Sequence, residues 1–292
     1  MYVNNTNYVI ISPVRDEELY IEKTILSVIS QTIQPKIWII VNDGSIDNTP
    51  VIVRKYSSIH KWIQLINKEN RGYAEPGRGV MEAFYVGYNH IKNEEDYEYI
   101  VKLDGDLEFQ ANYFESLFKE FEKNSKLGIA SGVCMIERKG ILEREKHPEY
   151  HVRGPSKVYK MACWKDIGGL IKHKGWDTID EMKAQSLGWE TKSFKNLPII
   201  HYKPTGYNTG SYKWAIIGGK SDYYCGYHPL FIIAKGIKKM FERPYIIGGL
   251  LINYGFFKEY LKNGEQIKDK DLIKFIQKQQ INRLTLRKSI WN

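Results

Sequence analysis

Cysteine is scarce in this chain, and several sequence signatures are missing altogether. The 292 residues include three cysteines, Cys134, Cys163 and Cys225, which are odd in number and widely spaced. This spacing predicts neither a disulfide framework nor a zinc site, and it suits a reducing compartment. No internal repeat or low-complexity tract is found, and the N-terminus lacks the basic stretch and apolar run of a signal peptide. We therefore expect a globular cytoplasmic protein.

Long hydrophobic runs are also missing. The apolar stretch 245–257 has 13 residues, whereas a helix that spans a bilayer needs about 20. An interfacial or re-entrant segment fits this stretch better, with Lys258 and Lys262 near lipid headgroups. Basic charge is concentrated in residues 231–292, which hold thirteen Lys and Arg against five Asp and Glu and leave residues 1–230 close to neutral. This asymmetry predicts an enzyme with a basic tail.

Two carboxylates, Asp104 and Asp106, follow the apolar run 99–103, which predicts a buried strand. In an extended segment residues i and i+2 point the same way, so both carboxylates face one spot. Gly105 between them carries no side chain, so a ligand can approach the backbone closely. Hard oxygen donors in this arrangement suit Mg²⁺ or Mn²⁺, and such an ion can hold a diphosphate.

A second acidic strand end lies upstream of these aspartates. The apolar run 37–41 leads directly into Asn42-Asp43-Gly44-Ser45. Two strands with acids at their carboxyl ends describe the crevice in which open α/β sheets bind ligands. Asp43 can accept hydrogen bonds from the N–H groups of a nucleobase, although the same residues are also typical of a turn.

Four motifs, taken in order, resemble the family 2 inverting glycosyltransferases of the GT-A fold. The family begins with a strand and a Pro-x-x-Asn-Glu-Glu-like loop, continues with Ser-x-x-x-Gln-Thr and Asp-Asp-Gly-Ser-x-Asp-x-Thr, and then has an Asp-x-Asp element. The corresponding segments of this chain are residues 9–18, 27–32, 42–49 and 104–106. An ordered set of this kind is far more specific than any single motif. Asp16 replaces the usual Asn, and Asn42 replaces the first usual Asp.

The resemblance implies a site for a nucleotide-diphosphate sugar and a divalent cation. Asp106 is expected to be the main ligand of Mn²⁺ or Mg²⁺, Asp104 to contact the ribose or the metal, and His201 to be a third ligand or a structural histidine. The residues implied for binding of the nucleotide sugar are Pro13, Arg15, Glu17, Asp43, Arg78, Asp104 and Gly105.

The acceptor hydroxyl needs a general base, which the family supplies from a Glu-Asp pair at the start of a helix. Counting back from Gly188 places the aspartate of this pair at Asp177, with Trp176 where the family usually has Glu. Asp180 and Glu181 lie one turn further along the same predicted helix and are rival candidates. Asp177 can equally serve as an acidic first-turn residue that stabilises the helix.

The alternation of strands and helices predicts an α/β fold. The expected architecture is GT-A, with a Rossmann-like, mostly parallel sheet, covering helices and a C-terminal amphipathic helical tail. We place the catalytic domain at 1–228, with a nucleotide-binding part at about 1–125 and an acceptor part at about 126–228, and the tail at 229–292. Residues 198–228 are expected to be rich in loops and aromatic side chains.

The function implied is inverting transfer of a sugar, with a UDP-sugar as the favoured donor. The acceptor would be the hydroxyl of a glycan or of a lipid-linked glycan, and the tail would hold the protein at the inner face of the cell membrane. One alternative is a sugar-phosphate nucleotidyltransferase, but the loop at residues 13–16 has no glycine with which to bind phosphate. The other is a non-catalytic module that binds membranes or nucleic acid, but an acid-lined, neutral first part does not suit a polyanion.

Overall fold

The fold consists of two compact units, Met1–Lys203 and Pro204–Asn292. A computed structural model describes residues 6–73, 75, 77–138, 140–145, 147–203, 210–242 and 244–291. The second unit begins before residue 229, where the sequence placed the start of the tail.

Within its described residues, the first unit contains one mixed sheet of nine strands in the order β3-β2-β1-β4-β8-β6-β9-β5, with β7 paired to β6. The strands are β1 (Tyr8–Val14), β2 (Ile37–Asn42), β3 (Ile63–Asn67), β4 (Tyr99–Leu103), β5 (Leu107–Phe109), β6 (Leu127–Arg138), β7 (Ile141–Arg144), β8 (Ser156–Lys160) and β9 (Glu190–His201). Strands β1 to β4 pair in parallel, whereas β8 runs antiparallel to both β4 and β6.

Helices cover both faces of this sheet. They are α1 (Ile21–Ile29), α2 (Thr49–Ile59), α3 (Arg78–Tyr88), α4 (Tyr113–Lys123), α5 (Met161–Ile167) and α6 (Trp176–Ser186). The strands are apolar runs rather than alternating patterns because both of their faces are buried. One core cluster joins the sheet to α1 and α4 and includes Trp38 and Phe114. A second cluster on other strand residues joins it to α3, α5 and α6 and includes Phe84 and Trp164.

The parallel arrangement brings the carboxyl ends of β1, β2 and β4 to one edge of the sheet. In the register of these strands, Val14 of β1 lies opposite Asn42 of β2, and Ile11 of β1 lies opposite Lys102 of β4. The loops that carry Glu17, Asp43 and Asp104 therefore leave the sheet side by side. This is the crevice that the sequence predicted.

The second unit is helical in its described residues. Its helices are α7 (Ser211–Tyr224), α8 (Pro229–Lys239), α9 (Ile247–Leu261) and α10 (Lys270–Leu284). Helix α7 corrects the expectation that residues 198–228 are rich in loops. Its glycines hid the helical pattern, because each glycine in a helix interior costs about 1 kcal/mol relative to alanine. Tertiary packing against α9 outweighs that preference, and it also explains why this unit begins before residue 229.

Glycines allow the helices of the second unit to approach closely. A Cβ atom at Gly219 of α7 would lie 2.0 Å from the carbonyl oxygen of Ile252 in α9, and one at Gly255 of α9 would lie 2.2 Å from that of Ile216. A Cβ atom at Gly249 would likewise meet the carbonyl oxygen of Gly236 in α8 at 2.2 Å. Backbone contacts this close require a residue without a side chain on at least one of the two helices.

The net formal charge of the chain lies entirely in the second unit. Residues 204–292 contain fifteen Lys and Arg against six Asp and Glu, which equals the net +9 of the full sequence. Large apolar side chains are exposed on α8, on α9 and between them: Leu230, Ile233, Ile237, Phe241, Tyr245, Ile246, Ile247, Leu250, Tyr254, Tyr260 and Leu261. None of the helices in the described part of the chain is long and apolar enough to cross a bilayer.

Candidate active site

The loops after β1 and β2 are joined by hydrogen bonds. The backbone N–H of Asp16 donates to Ser45 Oγ (3.0 Å), and that of Ile46 donates to Asp16 Oδ1 (2.9 Å). The backbone N–H of Glu17 donates to Thr49 Oγ1 at 2.7 Å. Asp16, which replaces the family's usual Asn, adopts φ +54°, a conformation that Asn and Asp tolerate better than most residues. The two loops therefore hold each other at the carboxyl edge of the sheet, immediately after buried Pro13.

Asp43 lies buried among cations. Arg71 Nη2 donates to both of its carboxylate oxygens at 2.6 and 2.5 Å, and Lys68 Nζ donates to Oδ1 at 2.7 Å. Arg15 Nη1 donates to the backbone oxygen of Asp43 (2.8 Å), and its Nη2 donates to Asn70 Oδ1 (2.9 Å). The carboxylate that the sequence assigned to the nucleobase is thus oriented by two charged partners that the sequence did not identify.

Arg78 lies at the start of α3 on the wall of a cavity of about 520 Å³. Its Nε donates to Glu82 Oε1 at 2.9 Å, and its side chain is 63% exposed. The cavity is lined by Lys68, Glu69, Asn70, Arg71, Tyr73, Glu75, Arg78 and Glu82. Arg71 and Lys68 both line this cavity and donate to Asp43, so the Asp43 carboxylate lies next to the cavity wall.

Asp104 is held by a buried lysine. Lys102 of β4 is 2% exposed, and its Nζ donates to Asp104 Oδ1 and, at 2.9 Å, to the carbonyl oxygen of Gly154. A lysine is almost never fully buried unless it is paired, and Asp104 is that partner. A Cβ atom at Gly105 would lie 2.9 Å from Val14 and 3.3 Å from the Glu17 side chain. Glycine at position 105 therefore leaves space for the side chains of Val14 and Glu17.

Asp106 and His201 lie next to each other. His201 Nε2 is 3.4 Å from Asp106 Oδ2, and both residues are about 95% buried. His201 is the last residue of β9 and lies opposite Leu107 in the antiparallel β5–β9 pair, which fixes its position beside the Asp-x-Asp element. The backbone N–H of Lys203 donates to Asp106 Oδ2 at 3.1 Å. Burial raises the pKa of Asp106.

Glu17 lies near the carboxylates of Asp104 and Asp106. Burial, with a further contribution from the charge of Asp106, raises the pKa of Glu17 to about 8. Lys203 Nζ pairs with Glu17 Oε1, while Glu17 Oε2 and His201 Nδ1 are buried without a hydrogen-bond partner among the residues that the structure describes. Buried polar atoms are rarely left unsatisfied in native proteins. The free oxygen of Glu17, Oδ2 of Asp106 and Nε2 of His201 are ligands of the kind that suit a divalent cation such as Mn²⁺.

Asp180 and Glu181 of α6 are engaged in a buried ion cluster with Lys157 of β8. Lys157 Nζ is 2.9 Å from both Asp180 Oδ2 and Glu181 Oε1, and its side chain is fully buried. Tyr159 OH also donates to Asp180, and the backbone N–H of Val152 donates to Glu181 Oε1 at 2.7 Å. Burial raises the pKa of Asp180 to about 6. These contacts hold both carboxylates inside the protein.

Asp177 lies in the first turn of α6 and faces Gly154. A Cβ atom at Gly154 would be 3.3 Å from Asp177 Oδ2 and 3.4 Å from the Trp176 ring. The carbonyl oxygen of Gly154 accepts from Lys102, and the carbonyl oxygen of Pro155 accepts from the backbone N–H of Asp104 at 2.8 Å. The short segment 154–155 thus separates Asp177 from Asp104.

The sequence reasoning missed the cations of this site: Lys68, Arg71, Lys102, Lys157 and Lys203. A signal was available for one of them. Lys102 lies inside the apolar run 99–103 that predicts a buried strand, where a lysine requires an acidic partner. The partners are far away in sequence, except for Asp104, and could not be assigned before the fold was known.

Comparisons with known proteins bear on the family of this chain. A family model described as Glycosyl transferase family 2 matches residues 9–175. Poly-beta-1,6-N-acetyl-D-glucosamine synthase of Staphylococcus epidermidis is 26% identical over 209 residues, which are 65% of this chain and 46% of that protein. The chain therefore spans about half the length of this curated relative.

Solved structures support the same fold. Mannosyltransferase PcManGT from Pyrobaculum calidifontis, solved with GDP-Man and Mn²⁺, has a TM-score of 0.54 and 15% identity, covering 96% of this chain and 81% of that chain. S. aureus TarS has a TM-score of 0.51 and 15% identity, covering 89% and 44%. At this identity the likeness shows the α/β fold of the GT-A type and no more. With more than half of its residues matched by the family model, the chain belongs to glycosyl transferase family 2.

Proposed function

We propose that this protein is an inverting glycosyltransferase that moves a sugar from a UDP-sugar to a hydroxyl of a glycan acceptor. The observation that carries the proposal is the closeness of two acidic groups on either side of segment 154–155. Asp104 and Asp106 lie on one side, where a donor diphosphate and its cation would bind. Asp177 lies on the other side, where an acceptor hydroxyl would be deprotonated.

On the donor side, Asp106, His201 and Asp104 would hold Mn²⁺ or Mg²⁺. When bound, such an ion neutralises the charge that develops on the departing diphosphate. The ligands present support this assignment, because His201 and Asp106 are adjacent and Glu17 adds a further carboxyl group beside Asp106. The related mannosyltransferase was solved with Mn²⁺, which is consistent with the same choice here.

On the acceptor side, Asp177 would accept the proton of the attacking hydroxyl in a single displacement that inverts the anomeric carbon. Asp180 and Glu181 are poorer candidates because both carboxylates are bound to Lys157 and shielded from an acceptor. A positioned general base contributes about 10²–10⁴-fold to rate. We expect Asp177→Asn to lower turnover by this factor while donor affinity changes little, and Asp180→Asn to act mainly on stability.

The nucleotide part of the donor would bind at Asp43, Arg15, Pro13 and Glu17, with Arg78 on the adjoining cavity wall. Arg71 and Lys68 would orient the Asp43 carboxylate toward the base. A screen of UDP-, GDP- and TDP-sugars by slow donor hydrolysis and thermal stabilisation, with and without Mn²⁺, tests the donor. We expect a UDP-sugar to give the largest response and Asp106→Asn to abolish turnover.

Two results would count against this assignment. Full turnover in EDTA would refute the assignment of a metal. Release of inorganic diphosphate from a nucleoside triphosphate and a sugar phosphate would indicate a nucleotidyltransferase instead. A matched control is Glu115→Gln, since Glu115 is an acid of α4 whose side chain pairs with Lys119. This variant should retain the donor response of the unmodified protein.

The second unit would hold the protein at the cytoplasmic face of a membrane, near a lipid-linked acceptor. Exposed apolar residues recur at helical spacing on α8, at Leu230, Ile233 and Ile237, and on α9, at Ile247, Leu250 and Tyr254. Large exposed apolar surfaces mark interaction sites, and the net positive charge of this unit suits anionic headgroups. The bilayer interface is therefore the occupant that matches both properties.

Sedimentation with phosphatidylglycerol vesicles tests the membrane proposal on the full chain. We expect the unmodified protein to pellet with vesicles and a variant with Phe241→Ser, Ile246→Ser and Leu250→Ser to remain in the supernatant. The control variant carries Leu26→Ser, Val51→Ser and Ile59→Ser, which remove exposed apolar residues of the first unit. Equal behaviour of the two variants would refute the assignment.

A further inference from the structure

Lys102 and the ring of Trp176 connect the two halves of the proposed site. Lys102 Nζ lies 5.2 Å from the centroid of the Trp176 ring, within the range of a cation–π interaction. The same ammonium group donates to Asp104 Oδ1 and to the carbonyl oxygen of Gly154. One buried cation therefore contacts the Asp-x-Asp element, the intervening segment and the first residue of α6.

Trp176 occupies the position at which the family usually has Glu. On this chain its ring also lies 5.5 Å from Nζ of Lys157, which donates to the backbone oxygen of Asp177 at 2.7 Å. The N-terminal turn of α6 is thus fixed by two buried lysines, one on each strand of the antiparallel β4–β8 pair. An acidic side chain at position 176 is not needed to orient Asp177 in this arrangement.

We propose that Lys102 is a positioning residue that sets the spacing between Asp104 and Asp177 through Gly154 and Trp176. The proposal rests on the proposed function, in which those aspartates face the donor and the acceptor. Misplacement of a reacting group by about 1 Å can cost 10²-fold in rate. Lys102 and Trp176 link the two aspartates through Gly154. A change in this link should therefore lower turnover more than donor affinity.

Two variants perturb the link at different points. Lys102→Met keeps an unbranched side chain but removes the charge, so Asp104 and Trp176 lose their common partner. Gly154→Ala adds a methyl group 3.3 Å from Asp177 Oδ2 and 3.4 Å from the Trp176 ring, while Lys102 and Asp104 are unchanged. We expect each variant to lower kcat by about 10–100-fold. Gly154→Ala, which leaves Asp104 and Lys102 in place, should change the donor Kd, measured by calorimetry with the UDP-sugar, by less than about fivefold.

The two controls are Lys160→Met and Gly218→Ala. Lys160 Nζ lies 5.9 Å above the Trp189 ring, which makes it a lysine–tryptophan pair outside the site. A Cβ atom at Gly218 would meet nothing within 4 Å. Both controls should retain kcat. If the link is a single unit, the double variant Lys102→Met/Gly154→Ala should lose less than the product of the two single losses.

The outcomes separate this proposal from the proposed function. If Asp177→Asn abolishes turnover but Lys102→Met and Gly154→Ala both retain it, the positioning role is refuted and the base is not. If Asp177→Asn retains turnover, the base assignment fails and the link has no aspartate to position. A lower melting temperature with unchanged kcat would show that Lys102 is only structural. Should Lys102→Met fail to fold, Lys102→Arg replaces it, because it keeps the charge but changes its reach to Asp104 and Trp176; an unchanged kcat in Lys102→Arg and in Gly154→Ala would then refute the positioning role.

Discussion

The buried ion cluster around Lys157 gives the sharpest prediction for stability. Its ammonium group is 2.9 Å from one oxygen of Asp180 and 2.9 Å from one oxygen of Glu181. At an effective dielectric constant of about 20, a unit pair at this distance attracts by about 6 kcal/mol, and desolvation of the three groups opposes that gain. Lys157→Met leaves two carboxylates buried without a cation, and such losses cost about 3–5 kcal/mol.

The pH dependence of this loss follows from Asp180. Burial raises its pKa to about 6 from its ordinary value of 3.8. A carboxyl group whose folded pKa is raised favours the folded state at low pH and loses that contribution as pH rises through the folded value. Without Lys157 the carboxyl can neutralise itself by taking a proton, which becomes easier by about 1.4 kcal/mol per pH unit as pH falls. The destabilisation should therefore shrink from pH 7 to pH 5.

Urea unfolding followed by tryptophan fluorescence measures this effect, because five of the seven tryptophans lie in the first unit. We expect a loss of about 3–5 kcal/mol at pH 7 and about 2–4 kcal/mol at pH 5, because the wild-type carboxyl also takes up a proton in this range. Lys160→Met, on the same strand, should change stability by less than about 0.5 kcal/mol. A loss below about 1 kcal/mol at pH 7, or a loss that grows toward pH 5, would refute the reasoning.

Two further predictions concern packing. Gly219→Ala places a Cβ atom 2.0 Å from the carbonyl oxygen of Ile252. We expect this variant to lose about 1–3 kcal/mol of stability, so that proteolysis of the second unit begins at a lower temperature. The neighbouring variant Gly218→Ala should be neutral or slightly stabilising, and equal effects of the two variants would contradict the close α7–α9 contact. Tyr113→Phe removes the hydroxyl oxygen that accepts from the backbone N–H of Gly132 at 2.9 Å, and the unsatisfied N–H should cost about 1–3 kcal/mol in urea unfolding. Tyr212→Phe, at an exposed position, is its control, and an equal result for the two would count against this bond.

Much of the fold could be predicted from local patterns. The runs 37–41 and 99–103 are apolar because the strands they form are covered on both faces, and their acidic ends mark the carboxyl edge of the sheet. The GT-A fold and the family followed from motifs in a fixed order. Helix α7 did not follow, because paired glycines weaken a helical pattern and its stability comes from a contact with α9.

The candidate site likewise has one part that the sequence predicts and another that only the tertiary structure shows. The sequence by itself determined which acidic groups were available, because Asp43, Asp104, Asp106 and Asp177 occur in recognisable motifs. The tertiary structure alone decided their partners: Arg71 for Asp43, Lys102 for Asp104, His201 for Asp106, and Lys157 for both Asp180 and Glu181. The physical reason is that a buried charge must be compensated within about 3–4 Å, and most compensating groups arrive from strands and loops remote in sequence.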